Sequence, residues 1–186
     1  MAVTTLDKNT ALIVIDLQKG IVAYPTAHPI AEVVKHSCAL LDTFRRLGLP
    51  VVLVNVAGGA PGRTEQVRNT TFSASWSDLI PELNQRSEDH TVTKRTWGAF
   101  TNTNLDQHLK NLGVTQVVIV GVATSIGVES TARHAYEYGF NVTLALDAMT
   151  DMNLDAHVNS ITRIFPRLGE TGTTQEIIDL LDKRSA

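Results

Sequence analysis

The chain reads as an α/β protein built on a doubly wound, six-stranded parallel sheet with helices on both faces. Two observations predict this. Short runs rich in Val and Ile recur along the sequence, apolar at consecutive rather than alternate positions, as strands covered on both faces must be. Between them lie helix-length segments, and strand, helix, strand repeated with right-handed crossovers gives a parallel sheet wound in two directions.

The first strand is ALIVID (11 to 16), the second PVVLVNV (50 to 56) and the third, weaker, HTVTK (90 to 94). QVVIVGV (116 to 122) and NVTLALD (141 to 147) are the fourth and fifth, and a short sixth is placed near Arg167 to Glu170. Pro29 to Leu47 is a predicted helix, because Ile30, Val34, Cys38, Leu41 and Phe44 step by four or three and share one face. Gly48 ends it, as glycine ends many helices. Further helices are expected at 103 to 112, stopped by Gly113, at 125 to 138, stopped by Gly139, and at 153 to 165 and 174 to 184. The stretch from Ala57 to Asp89 carries AGGAPGR and many Ser, Thr and Asn. It has little periodicity, and is read as a long excursion over the site with a short helix near Trp76 to Leu83.

A length of 186 residues with 43% hydrophobic side chains suits one domain, 1 to 186, with a substantial core. The net charge is -3 and no run of Lys or Arg could neutralise successive phosphates, so nucleic acid is not an expected partner. MAVTTLDKNT lacks the basic start and apolar stretch of a signal peptide, and the longest apolar runs are strand-sized. A cytoplasmic protein without a membrane span is expected. Cys38 is the only cysteine, which excludes an internal disulfide and a Cys-based zinc site. The six His show neither HxH nor HExxH spacing, and AGGAPG has neither dinucleotide nor P-loop order. No metal or cofactor is expected, and His134 and His157, on predicted helices, read as surface or satisfied residues.

In an open parallel sheet, ligands bind beyond the carboxyl ends of the strands. Those ends are Asp16, Asn55, Lys94, Val122 with its following loop, and Asp147. Burying a carboxylate or an ammonium alone is costly, so one solution is that Asp16 and Lys94 face each other. The other is that Asp16 is a turn or N-cap residue and Lys94 an exposed strand end. The loop VGVATSIGVESTAR (120 to 133) runs from a buried strand directly into a helix, whose first N–H groups can hold an anion. Such a turn is the usual seat of a nucleophile, yet it offers only Thr124, Ser125 and Gly127. These, with Trp97 and Phe100 after Lys94, are candidate pocket residues. For the two aromatics, packing of a loop against helices is the alternative. Glu129 and Arg133, four apart on a helix, read as an exposed or subunit-facing pair.

The set ALIVIDLQ, TKRTWGAFTNTNLDQHL and VVIVGVATSIGVESTARHAYEYGFNVTLALDAM, in that order over nearly the whole chain, closely resembles the isochorismatase-like (cysteine hydrolase) family. The resemblance implies a role for each matching position. In the cysteine hydrolases the Asp at the position of Asp16 is the base, the Lys at that of Lys94 favours a thiolate, and a Cys at that of Gly127 attacks an amide. The residue at the position of Ala123 follows a cis peptide, and its N–H joins that of position 127 in the oxyanion hole. Gly127 departs from this pattern. Without a thiol the covalent route cannot run, and Cys38, on a predicted buried helix face, cannot replace it. Ser130 reads as a turn into the helix and Ser125 as a capping residue. The isochorismatases also have Gly here, and they hydrolyse a vinyl ether without a covalent intermediate. That implies a protonated Asp16 as acid, with Lys94 binding a substrate carboxylate. The Lys94 ammonium lowers the pKa of Asp16, so desolvation must outweigh it. Isochorismatases carry Tyr at the position of Ala123, so isochorismate itself is not implied. The nicotinamidase branch has an Asp and His metal cluster after the second strand, but AGGAPGRTEQVRNT has neither residue. A dimer or higher oligomer is implied.

Two readings of function follow. One is a hydrolase acting without a thiol intermediate on a small metabolite, a vinyl ether or an amide, through Asp16 and Lys94. The other is a catalytically silent small-molecule-binding protein that keeps the cleft.

Overall fold

The computed structural model describes residues 3 to 65 and 72 to 184. The strands are β1 (Thr10–Ile15), β2 (Val51–Val56), β3 (His90–Lys94), β4 (Gln116–Val122), β5 (Asn141–Thr150) and β6 (Glu170–Gly172). The helices are α1 (Lys19–Val22), α2 (Ile30–Arg46), α3 (Leu105–Asn111), α4 (Glu129–Glu137), α5 (Leu154–Asn159) and α6 (Thr174–Lys183). All strands are parallel in one sheet, in the order β3-β2-β1-β4-β5-β6. Winding outward from β1 in two directions, this order puts the topological switch between β1 and β4. No described helix is long and apolar enough to cross a membrane.

The consecutive apolar positions are explained by two cores. Ala11, Ile13 and Ile15 of β1 pack with Leu105 and Leu109 of α3 and Ala132 and Ala135 of α4. Leu12 and Val14 point the other way, to Leu40, Leu41 and Phe44 of α2 and Ile177 and Leu181 of α6. Each strand residue therefore faces a helix layer on one side or the other. The buried residues of α2 are Val33, Ser37, Leu40, Leu41, Thr43 and Phe44, which corrects the predicted stripe. Val34 and Cys38 sit half-buried at its edge, because a 17-residue helix drifts relative to a strict three-four repeat.

Other boundaries differ for local reasons. The sixth strand is Glu170–Gly172 rather than 167 to 170, since Phe165–Arg167 form a tight turn after α5. The helix predicted at 153 to 165 loosens into a wide turn at Ser160–Ile164. The helix predicted near Trp76 to Leu83 is a single turn, Pro81–Leu83. The middle of the excursion, 66 to 71, lies outside the described residues. Its far end is pinned beside β1, where the backbone of Lys19 donates to Asp78 O, that of Gly20 to Trp76 O, and that of Ile80 to Leu17 O. β5 continues past the predicted end at Asp147 to Thr150, with a shift of register against β4 between Ile119 and Gly121. Asp147 is therefore not at a strand end; its carboxylate accepts the N–H and hydroxyl of Thr174 at the start of α6.

Candidate active site

Asp16 follows β1 with a left-handed backbone (φ 50°), a conformation that Asp tolerates better than most residues. Its N–H continues the ladder to Val54 O, and its C=O accepts Gln18 N–H, so the chain turns sharply there. Lys94 ends β3, in register with Val56 of β2. Its side chain crosses the end of β2 and its Nζ donates to Asp16 Oδ2 at 2.6 Å and to Thr96 O at 3.4 Å. The pair is almost sealed, Asp16 being 5% exposed and Lys94 2%.

Burial dominates the electrostatics. Loss of solvent pushes the Asp16 carboxyl up to about 6, against the opposing pull of the Lys94 ammonium. Oδ1 is buried without a hydrogen-bond partner among the described residues, and a lone buried carboxylate oxygen is a natural seat for a proton.

The turn after β4 starts at Ala123, whose peptide bond to Val122 is cis. Residues Thr124–Val128 make one wide turn, Val128 N–H reaching Ala123 O at 3.1 Å, and α4 then continues. The predicted single helix over 125 to 138 is thus a wide turn followed by a regular helix. Gly127 faces the pair. A Cβ built there would stand 3.2 Å from Asp16 Oδ2 and 2.9 Å from Ile15 Cγ2. Asp16, Lys94 and the 123 to 127 turn therefore converge at the switch point.

Thr124 and Ser125 are turned elsewhere. Thr124 Oγ1 lies 2.8 Å from His157 Nδ1, whose ring is packed against His28 and whose burial lowers its pKa. Ser125 donates both its N–H and its hydroxyl to Asp151 Oδ2, at 2.7 and 2.8 Å. Its hydroxyl is a donor to Asp151, not a cap of its own turn. The two aromatics also part company: Trp97 is 63% exposed, while Phe100 is 3% exposed and packs on Phe140 in the core. Phe100 thus takes the packing role, because the loop after Lys94 is held against α4, where Ala99 N–H donates to the Thr131 hydroxyl. Glu129 and Arg133 do pair, and Glu129 also accepts the Ser160 hydroxyl. Among the described residues, no three His, Cys, Asp or Glu side chains are placed to hold a metal.

Three residues that hold the site escape a reading by motif. Gln18 completes the end of the β2 ladder with its side-chain amide, accepting Val56 N–H and donating to Val56 O and Trp76 O. Asp151 anchors the turn through Ser125, and buried Thr131 bonds to both Gly127 and Ala99. Only the LQ after Asp16 hints at the first of these, and nothing local marks the other two.

The Isochorismatase domain profile matches residues 10–176. The chain is 38% identical over 180 residues to the uncharacterized isochorismatase family protein YwoC of Bacillus subtilis, covering 92% of this chain and 94% of that protein. It is 31% identical over 158 residues to Nicotinamidase 3 of Arabidopsis thaliana, covering 81% and 77%. A solved isochorismatase family protein from Burkholderia thailandensis superposes with a TM-score of 0.92 at 38% identity, over 96% of this chain and 98% of that one. With profile, sequence and fold in agreement, the chain belongs to the isochorismatase family of hydrolases.

Proposed function

We propose that this protein hydrolyses a small metabolite without a covalent enzyme intermediate, Asp16 acting first as acid and then as base. The observation that carries the reading is the Asp16 carboxyl, raised to about 6 and set against the bare Cα of Gly127. A carboxyl with that pKa is about one-tenth protonated at pH 7, enough to act as a general acid. The substrate class that suits it best is a vinyl ether. Asp16 delivers its proton to the alkene carbon, leaving an oxocarbenium ion. Water adds, returning a proton to the Asp16 carboxylate, and the hemiketal breaks to a carbonyl compound and an alcohol. Lys94 holds Asp16 and is the cation for a substrate carboxylate. The bare Cα of Gly127 lets the turn approach Asp16 closely, and the N–H groups of Ala123 and Gly127 are the candidate anion contacts.

An amide substrate is the second member of the same reading, with Asp16 carboxylate activating water; the absence of a nucleophile at 127 makes it the slower route. The test is turnover of a panel of enol ethers, isochorismate included, and of small amides, by wild type and Asp16→Asn. Enol-ether cleavage should fall at least ~100-fold in the variant. Equal rates in the two proteins would sink the role of Asp16.

A further inference from the structure

The hydroxyl of Thr131, on the first turns of α4, is fully buried. It donates to Gly127 O at 2.7 Å and accepts Ala99 N–H at 3.1 Å. Those two backbone groups belong to opposite halves of the site. Gly127 lies on the turn that faces Asp16. Ala99 lies on the loop after Lys94, and that loop supplies Thr96 O to the Lys94 ammonium. The contacts form a chain: Asp16 Oδ2 to Lys94 Nζ, Lys94 Nζ to Thr96 O, along the loop to Ala99 N–H, and through the Thr131 hydroxyl to Gly127 O, on the turn where an added Cβ would stand 3.2 Å from Asp16 Oδ2. The step between the two halves is made by the Thr131 side-chain oxygen. The same loop is held from α4 a second time, where the His134 ring lies against Gly98.

We infer that Thr131 is a positioning residue: its hydroxyl sets the separation between the Asp16–Lys94 pair and the Gly127 turn. A hydroxyl has one proton to give and lone pairs to accept, and here it uses both functions on buried backbone groups. Removing it takes one hydrogen bond from each of two backbone groups, and a buried group that loses a partner draws in water or moves until it finds another. Either response opens the pocket around Asp16, whose protonation depends on being dry. The catalytic consequence rests on the role proposed above for Asp16; the geometric claim does not.

The experiment is a carbon-13 NMR titration of the Asp16 carboxyl in wild type, Thr131→Val and Thr131→Ser, without substrate. Thr131→Val keeps the shape and removes the hydroxyl, and should move the Asp16 midpoint down from about 6 by roughly one unit. Thr131→Ser restores the hydroxyl and should return the midpoint to within ~0.3 of wild type. With an enol ether that the protein turns over, Thr131→Val should lower kcat roughly tenfold and leave KM nearly unchanged. A folded Thr131→Val protein with the wild-type midpoint overturns the inference. Should that variant not fold, Thr131→Ala, which leaves room for water, is held to the same criterion. Since the titration uses no substrate, its failure is distinct from a failure to cleave enol ethers, which would count only against the proposed reaction.

Discussion

At Asp16 two opposing forces act on one carboxyl group. Desolvation favours the neutral acid and Lys94 favours the anion, and a resting value of about 6 shows that desolvation prevails. Only one carboxyl oxygen meets the ammonium, while Oδ1 has no partner among the described residues. The balance can be tipped in a known direction. Replacing Lys94 with Met removes the force that favours the anion while keeping the pocket filled with a chain of similar length. The Asp16 midpoint should therefore rise above its wild-type value, read by carbon-13 NMR of the labelled carboxyl. A midpoint that falls would mean that the substitution lets water in, and that Lys94 acts mainly as a plug. Gly127 is understood in the same terms. A Cβ there would press on Ile15 and on the Asp16 oxygen that faces Lys94, so glycine lets the turn close on the pair.

The strand ends are where backbone geometry builds the site, and Gly121 of β4 shows the constraint most sharply. It has φ of 116°, and a Cβ there would collide with the carbonyl oxygen of Ile15, one residue before Asp16. Neither backbone can yield easily, because Ile15 is in register with both Gly121 and Val54. Gly121→Ala should cost at least ~3 kcal/mol, a fall of roughly 10 °C in Tm for a chain of this size. A loss below ~1 kcal/mol by urea denaturation would show that β1 and β4 can separate locally. The elements themselves were largely legible in the sequence, since buried parallel strands announce themselves as apolar runs and Gly48, Gly113 and Gly139 end helices. Asp16, Lys94 and Gly127 were legible too, as strand ends and a turn at the switch point. The register shift that carries β5 to Thr150 was not, because it depends on pairing with β4 rather than on local pattern. Nor were Asp151 and Thr131, whose partners lie 26 and 32 residues away. Phe100 and Trp97 sit three residues apart in similar surroundings, and only the fold decides that one is core and the other exposed.

Across the whole molecule, the winding order brings β3 to within one strand of β1, so Lys94 must span two strand spacings, about 10 Å, to reach Asp16. The long, flexible lysine chain covers that gap over the end of β2, and the resulting pair ties stability to pH. Asp16 has a folded-state value of about 6 against 3.8 for the ordinary group, so between those values the native protein binds more protons than the unfolded chain. Its contribution to stability is fully present below 3.8 and is lost as the pH rises through 6. Two units at ~1.4 kcal/mol each give a loss on the order of 3 kcal/mol. His157 works in the opposite sense: burial lowers its value from 6.5, so the unfolded chain binds the extra proton and stability is gained as the pH rises toward 6.5. Glu170, whose burial would raise its value but is outweighed by the bonds from Thr4 and Thr5 that together lower it from 4.5, likewise loses its contribution as the pH falls. The total curve mixes these groups, but Asp16→Asn removes only the first. Comparing wild type with Asp16→Asn by urea denaturation at pH 4, 5, 6 and 7 should give near-equal stability at pH 4. The variant's advantage should then grow to the order of 3 kcal/mol at pH 7. A difference that stays constant across the series would mean that Asp16 titrates alike in the folded and unfolded chains, and would remove the physical basis for its acid role. A growing advantage would show that the fold carries a destabilising carboxyl at neutral pH, which is the trade expected where a buried group is held for chemistry rather than for packing.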